Sequence, residues 1–326
     1  MKRILIISAM ALALCSCGGR GKAPAQEAAA YRQIKPLQIP AIYSEPDEKL
    51  EYLALHYWDN FLSEGGATDS VAILGVRKED VEQKLADFIG TLEYVPMEKA
   101  QHAVSILFGG IEKRQAQEDT SSLFYLRFTE LVAKYLYDPN SPLRNEDFFL
   151  PFVRGLASSP FTDDNRRPGY EYQARMCSIN QYGHKVPDFR FKDARGRKHH
   201  LYEVDSRYTM LFFSNPGCTS CKGIIDEVMS RPYIEPFIKD KVLTVVNIYI
   251  DQEIDKWLEY EPNYPRCWLT GYDYTYSIRE DQTYDVRAIP SLYLLDNDLR
   301  VILKDAPTEK VLKYLDNIAS TQPQEP

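Results

Sequence analysis

The stretch Thr209–Val228, TMLFFSNPGCTSCKGIIDEV, decides how the C-terminal half of the chain is organised. It opens with an apolar run that is too short for a helix and ends at the turn sequence Asn-Pro-Gly at 215–217. Cys218 and Cys221 follow, and apolar residues at helical spacing come after them. The pattern predicts a strand, a sharp turn and a helix whose first turn holds both sulfur atoms.

The start of a helix favours a negative charge, because its first backbone N–H groups lack partners and the helix dipole is positive there. We therefore expect the Cys218 thiol to ionise more readily than the thiol of a free cysteine. Cys221, one turn later, can form or resolve a disulfide with it. The pair suits thiol–disulfide exchange, in which a thiolate attacks a disulfide and a neighbouring thiol releases the mixed product.

Length and composition are those of an ordinary soluble protein. The chain has 326 residues, of which 44% are hydrophobic and 26% charged, and this length gives room for about two domains. The net charge of −8 argues against nucleic acid as a partner, since nucleic-acid binding depends on basic surfaces.

The N-terminus predicts export. Two basic residues precede the apolar segment Ile4–Leu14, which is typical of a secretory signal. The sequence Leu-Cys-Ser-Cys-Gly-Gly at 14–19 resembles the lipobox of bacterial lipoproteins, with Cys17 as the lipidated residue. The alternative is an ordinary signal peptide with incidental cysteines. We expect a signal peptide over 1–17 and a tether over 18–44.

This leader implies a place in the cell. The protein is expected in the cell envelope, held to a bacterial membrane by lipid alone and facing the oxidising periplasm, where disulfides form and exchange. No later segment is apolar over the length needed to span a bilayer.

Residues 45–180 are predicted to form an all-α domain. Apolar stripes at helical spacing indicate five or six amphipathic helices that pack as antiparallel neighbours. His56 lies on the first of these predicted helices and His102 on the third, and neither has a second ligand one turn later. The domain shows no catalytic pattern, and a spacer, a dimerisation surface and a platform for a partner all remain open.

From residue 181 the helical stripes give way to short apolar runs separated by turns. A strand is predicted at 186–191 with its return at 201–204, and Val242–Ile250 has the β-branched composition of a buried central strand. The long segment that follows is interpreted as an ordered insertion with its own helix. Two further strands and a last helix complete residues 181–320, a mixed sheet with helices on both faces, and 321–326 form a tail.

This half resembles the thioredoxin fold of the TlpA-like, membrane-anchored thiol–disulfide oxidoreductases. The resemblance rests on four motifs in the expected order, namely VPDF at 186–189, FFSNPGCTSC at 212–221, WLTGYD at 268–273 and YDVRAIPSLYLLD at 284–296. It implies that Cys218 attacks the substrate and that Cys221 resolves the product. The helical half resembles an uncharacterised domain found before such modules in bacterial lipoproteins.

The resemblance also implies a substrate-binding segment. Pro290 would be cis and lie against the CxxC motif, so that Ile289 offers its backbone to a substrate strand; a trans proline that merely opens a strand is the alternative. Three family features are missing: Gly217 replaces a tryptophan, Ser220 a proline, and Ile224 a glutamate thought to move protons. The nucleophile and the resolving thiol are therefore present without the usual proton handler.

Other uses of the cysteines fit less well. Zinc would need a second pair of ligands, and a copper-delivery site a histidine after Cys218, whereas all 5 histidines precede it. The frame before Cys218 is not that of a peroxiredoxin. We expect no metal and no cofactor. Cys177 and Cys267 are isolated in the sequence, and a disulfide between them is one hypothesis.

The sequence therefore predicts an extracytoplasmic thiol–disulfide oxidoreductase that works in the reductase or isomerase direction. Its expected partners are protein thiols and disulfides and an upstream redox protein, and a homo-oligomer through the helical domain is left open. The alternative is a lipoprotein that keeps the fold and the disulfide as a binding module without turnover.

Overall fold

Amphipathic helices build the first half of the chain, as the apolar spacing predicts. The computed structural model describes residues 31–119 and 121–321, so the signal peptide, Cys17 and most of the predicted tether lie outside the described residues. The elements of this half, in chain order, are α1 (Pro46–His56), α2 (Asp59–Leu62), the hairpin strands β1 (Ala72–Ile73) and β2 (Val76–Arg77), α3 (Lys78–Leu92), α4 (Met97–Gln115), α5 (Phe124–Leu136), α6 (Glu146–Ser158) and α7 (Arg167–Cys177).

Aromatic side chains fill the centre of this helical half. The first apolar stripe is divided into α1 and α2, and Trp58 stands at the break. Its ring packs edge-on against Phe61, Phe88 and Phe128 at centroid distances between 5.2 and 5.9 Å. All four rings are buried in one hydrophobic core to which the longer helices contribute.

The end of the predicted tether is attached to the helices. The backbone N–H of Arg32 donates to the Gly75 carbonyl at 2.8 Å. Its guanidinium donates to the carbonyls of Leu74 and Phe61, both at 3.0 Å. The predicted tether is therefore not free over its whole length, because Arg32 within it is bound to the helical half.

A seven-stranded mixed sheet forms the second half. The elements are β3 (Arg190–Lys192), β4 (Lys198–His200), β5 (Tyr208–Phe213), α8 (Thr219–Met229), α9 (Ile234–Lys239), β6 (Leu243–Tyr249), α10 (Ile254–Tyr260), β7 (Leu269–Tyr272), β8 (Ser291–Leu295), β9 (Val301–Leu303) and α11 (Thr308–Thr321). The strand order is β4-β3-β7-β6-β5-β8-β9. Strands β5, β6 and β7 run parallel to one another and the outer pairings are antiparallel.

Alternation along β5 separates two hydrophobic clusters on opposite faces of the sheet. Met210 and Phe212 point into a cluster that includes Cys221 and residues of α8, α10 and α11. Leu211 and Phe213 point into a second cluster, whose other members come from the strands and from segments outside the α-helices. The helix that carries the cysteines thus packs on the first face.

Two sequence predictions for this half need correction. The return at 201–204 is not a strand, because the chain pairs at β4 and then makes a 3₁₀ turn over Leu201–Glu203. The segment interpreted as an insertion contains the predicted helix, α10, but it also supplies β7, which pairs with both β6 and β3. Residues 269–272 of this segment are therefore part of the sheet.

Among the described residues from Arg32 onward, the helical half and the sheet belong to one compact unit. Within the described ranges, no helix combines the length and apolar character needed to span a bilayer.

Candidate active site

The turn after β5 delivers the first cysteine to the start of α8. β5 ends at Phe213, and Cys218 is the N-cap residue of the helix. Gly217 between them has a φ of +70°, a conformation that side chains with a Cβ rarely adopt. A tryptophan, which the family that this half resembles carries at this position, would be strained in this conformation.

Cys218 and Cys221 form a disulfide with their Cα atoms 5.2 Å apart. The backbone N–H of Cys221 donates to Cys218 Sγ at 3.1 Å. The two sulfurs differ in access, because Cys218 is half-buried at the helix tip whereas Cys221 is only 2% exposed. An incoming group can therefore reach Cys218 more easily than Cys221.

The Ile289–Pro290 pair lies at the same end of the sheet. Its peptide bond is cis, as predicted. The next residue, Ser291, opens β8 and is paired with Phe213, from which the chain turns toward Cys218. Ile289 and Cys218 both pack against the cluster that contains Cys221. The structure thus places Cys218, Cys221, Ile289 and Pro290 at the same end of the sheet, and Cys17 lies outside the described residues.

Neutral polar groups are buried on the face that carries the cysteines. Ser214 Oγ donates to Asn247 Oδ1 at 2.6 Å and lies 3.3 Å from the Tyr264 hydroxyl. Ser214 and Asn247 are fully buried, and burial raises the pKa of Tyr264. Sequence reasoning missed this cluster, although a lone asparagine within the apolar run of β6 was a signal for it.

Several charged side chains around the cysteine pair already have partners. Lys222 Nζ lies 2.5 Å from Asp226 on the exposed side of α8. In the turn before Cys218, Asn215 Nδ2 donates to Asp251 Oδ2 at 3.0 Å, and Arg279 lies 2.6 Å from the other oxygen of this carboxylate. These contacts orient the turn rather than supply a free proton carrier.

The other two cysteines of the described residues are free. Cys177 is buried in the helical half, where burial raises the pKa of its thiol, and Cys267 is exposed. The hypothesis of a disulfide between them is therefore wrong. Among the residues that the structure describes, no group of three or more histidine, cysteine or carboxylate side chains could hold a metal ion.

Comparison with known proteins covers both halves. Residues 16–180 match the family model described as a domain of unknown function, DUF5106. A thioredoxin-like protein from Bacteroides caccae is 34% identical, and the alignment covers 88% of this chain and 99% of that chain with a TM-score of 0.72. No curated protein matches.

Shorter solved structures match part of the chain. The C-terminal domain of an uncharacterized protein from Bacteroides fragilis is 40% identical, covering 42% of this chain and 98% of that chain with a TM-score of 0.41. The thioredoxin domain of a thiol-disulfide oxidoreductase from Bacteroides vulgatus is 17% identical, covering 42% of this chain and 96% of that chain with a TM-score of 0.37. The match along nearly the whole Bacteroides caccae protein confirms the predicted thioredoxin-like fold.

Proposed function

This chain belongs to the DUF5106 family, whose domain of unknown function spans its residues 16–180, and we propose that its thioredoxin-like half is a thiol–disulfide oxidoreductase. In this proposal the Cys218–Cys221 pair exchanges electrons with disulfides of other proteins in the cell envelope. The direction is reduction or isomerisation. A separate thiol protein has to return the pair to its reduced form.

The unequal access of the two sulfurs is the observation that carries this proposal. Thiol exchange needs one sulfur that a substrate can reach and a second that substrates cannot easily trap. Cys218 is half-buried at a helix tip, where a backbone N–H already points at its sulfur. Cys221 is buried beside it at 2% exposure.

The reaction takes place in two displacements. The Cys218 thiolate attacks one sulfur of the substrate disulfide, so that a mixed disulfide forms and the other substrate sulfur leaves as a thiolate, which takes up a proton. The deprotonated Cys221 sulfur then attacks Cys218 Sγ, which breaks the mixed disulfide and releases the second substrate thiolate. Two electrons have passed to the substrate, and the Cys218–Cys221 disulfide remains.

The buried polar cluster of Ser214, Asn247 and Tyr264 limits how Cys221 loses its proton. Ser214 and Asn247 are neutral, and burial keeps Tyr264 protonated by raising its pKa. The Cys221 proton therefore goes to the departing substrate thiolate or to water rather than to a buried carboxylate. This step is expected to be slower than in relatives that carry the glutamate.

Insulin reduction with dithiothreitol as electron donor tests the proposal. The wild-type chain should accelerate the precipitation of insulin chains, and Cys218→Ser should abolish the acceleration. Reduced Cys221→Ser, freed of dithiothreitol and then mixed with insulin, should instead accumulate a mixed disulfide between Cys218 and insulin, because the resolving sulfur is gone. Cys267→Ser is the matched control, since it removes an exposed thiol outside the pair. Equal, negligible rates for wild type and Cys218→Ser would contradict turnover.

A binding module without turnover is the second candidate. It is favoured by the isoleucine at position 224 and by the neutral side chains of the buried polar cluster, which supply no carboxylate near the pair. In that case wild type and Cys218→Ser would bind the same envelope proteins with equal affinity. A trapped mixed disulfide in Cys221→Ser would argue against it.

The cellular location is proposed from the leader sequence. Cys17 in the lipobox-like sequence would carry the lipid, and the folded part would face the periplasm. Cys17→Ala should then move the protein from the membrane fraction to the soluble fraction of the cell envelope. Unchanged fractionation would contradict lipid anchoring at this residue.

A further inference from the structure

A group of buried charges joins the helical half to two segments of the sheet half, one that precedes β8 and one that follows β9. We call it the interface ion cluster, and its members are Arg144, Glu146, Asp285, Arg287, Lys304 and Asp305. Glu146 at the start of α6 is 1% exposed, and its carboxylate lies 2.7 Å from Lys304 Nζ and 3.0 Å from Arg287 Nε. Two residues of the sheet half thus converge on one carboxylate of the helical half.

The helical half holds Arg287 by more than this ion pair. The guanidinium lies over the Tyr137 ring, 4.1 Å from its centroid, and also donates to the Tyr137 carbonyl. Lys304 Nζ donates in addition to the carbonyls of Ile179 at 2.5 Å and Cys177 at 3.2 Å, near the end of α7. Two regions of the helical half therefore contact Arg287 directly, one through Tyr137 and the other through Glu146.

The same arginine is linked to the residue that follows Pro290. Arg287 Nη2 lies 2.9 Å from Asp305 Oδ2, and Ser291 Oγ donates to Asp305 Oδ1 at 2.8 Å. Arg287 precedes the Ile289–Pro290 pair in the chain, and Ser291 follows it directly. One carboxylate therefore restrains both ends of the segment that carries the pair.

Burial makes these restraints hard to release. The cluster balances the cations Arg144, Arg287 and Lys304 against three carboxylates, and a buried charge that loses its partner is strongly destabilising. Burial alone would lower the pKa of Arg287, but the charges of Glu146 and Asp305 outweigh it and raise this pKa. A shift of the segment would break these contacts, so its position depends on the helical half.

We propose that the helical half positions the substrate-binding segment around Ile289–Pro290, with Arg287 as the positioning residue that carries the restraint from Glu146. The inference rests on the exchange activity proposed above. It assigns a function to the helical half, which is to hold this segment ready for a protein substrate. Substrates too small to reach the segment do not need it.

The test compares a protein disulfide with a small one, in chains that all carry Cys267→Ser. Glu146→Gln removes the negative charge that lies against both Arg287 and Lys304. Arg287→Lys keeps the positive charge of residue 287 but loses the planar fork of donors. For insulin we expect KM to rise roughly tenfold with little change in kcat, well inside the hundredfold that a 1 Å misplacement can cost. The rate constant of reduced Cys218 with the small disulfide 5,5′-dithiobis(2-nitrobenzoate) should stay the same.

Two controls separate positioning from general stability. Glu118→Gln breaks a partly buried ion pair with Arg114 inside the helical half and should leave the KM for insulin unchanged. Glu146→Asp keeps the charge and should recover part of the wild-type KM. Thermal unfolding identifies a temperature at which the variants that are compared are folded. If Glu146→Gln does not fold, Arg287→Lys serves as the test.

Hydrogen exchange gives a readout that does not depend on activity. Backbone exchange in peptides covering 285–293 should become faster in Glu146→Gln and Arg287→Lys, but not in Glu118→Gln. If wild type does not reduce insulin, the proposed function fails while this arm still decides the inference. Unchanged exchange in these peptides, or equal losses with insulin and the small disulfide, would show that the cluster only joins the two halves.

Discussion

The backbone N–H of Cys221 should account for much of the ionisation of Cys218. The backbone nitrogen of Cys221 lies 3.1 Å from Cys218 Sγ, and a hydrogen bond to a charged acceptor contributes about 1.5–3 kcal/mol. The helix terminus adds about 0.3–1 kcal/mol, and partial burial opposes both. A net stabilisation of about 2 kcal/mol makes the ionisation constant about thirtyfold larger than that of a free thiol.

Two substitutions of the same residue isolate this contribution. Cys221→Ser removes the second sulfur and keeps the N–H, whereas Cys221→Pro removes both, and a proline is tolerated in the first turn of a helix. The proline variant should lose about 1.5 kcal/mol of thiolate stabilisation, so the ionisation constant of Cys218 should fall about tenfold relative to the serine variant. Circular dichroism checks that α8 is retained.

The assay is the pH dependence of iodoacetamide alkylation, followed at each cysteine by mass spectrometry. Cys267 is an internal reference in the same chain, because it is an exposed free thiol in a turn. Desolvation raises the pKa of its thiol, so its midpoint should lie on the high side. In Cys221→Ser the midpoint for Cys218 should lie at lower pH than the midpoint for Cys267. Coinciding midpoints, or identical Cys218 midpoints in the serine and proline variants, would refute the reasoning.

Two further predictions concern stability. Burial, followed by the charge of Glu146, raises the pKa of Asp285 to about 6, so the folded state takes up a proton as pH falls from 7 to 4.5. Protonation of Asp285 should therefore raise the unfolding free energy of wild type by about 2 kcal/mol over this pH range. Urea unfolding should show this gain in wild type but not in Asp285→Asn. The second prediction compares two glycines. Gly155→Ala would place a Cβ against the Phe108 ring and should lower the unfolding free energy by about 1–3 kcal/mol. In Gly90→Ala the added Cβ meets open space, so the change should be neutral or stabilising by up to about 1 kcal/mol.

Local sequence patterns predicted the elements that carry the candidate site. The apolar run, the turn and the helical spacing around Cys218 indicate β5 and α8 without help from distant residues. The buried strand β6 follows in the same way from its β-branched composition. The cis form of Pro290 came from the resemblance to a known family, since the sequence around it also permits a trans bond.

The remaining features depend on contacts between distant parts of the chain. Glu146, Arg287 and Lys304 are ordinary charged residues in the sequence, and only the packing of the two halves buries them together. β7 is short and contains Gly271, so its pattern gave no strand signal, yet it completes the sheet between β6 and β3. Long-range pairing of this kind cannot be read from local periodicity.

A single-turnover reaction tests the central claim most directly. The fully reduced chain is mixed with an equal amount of oxidised insulin under anaerobic conditions, without any other thiol, and the cysteines of both proteins are mapped by mass spectrometry. The account predicts that each Cys218–Cys221 disulfide formed is matched by one insulin disulfide reduced to two thiols, while Cys177 and Cys267 stay free. A pair that remains reduced in the presence of intact insulin would contradict it.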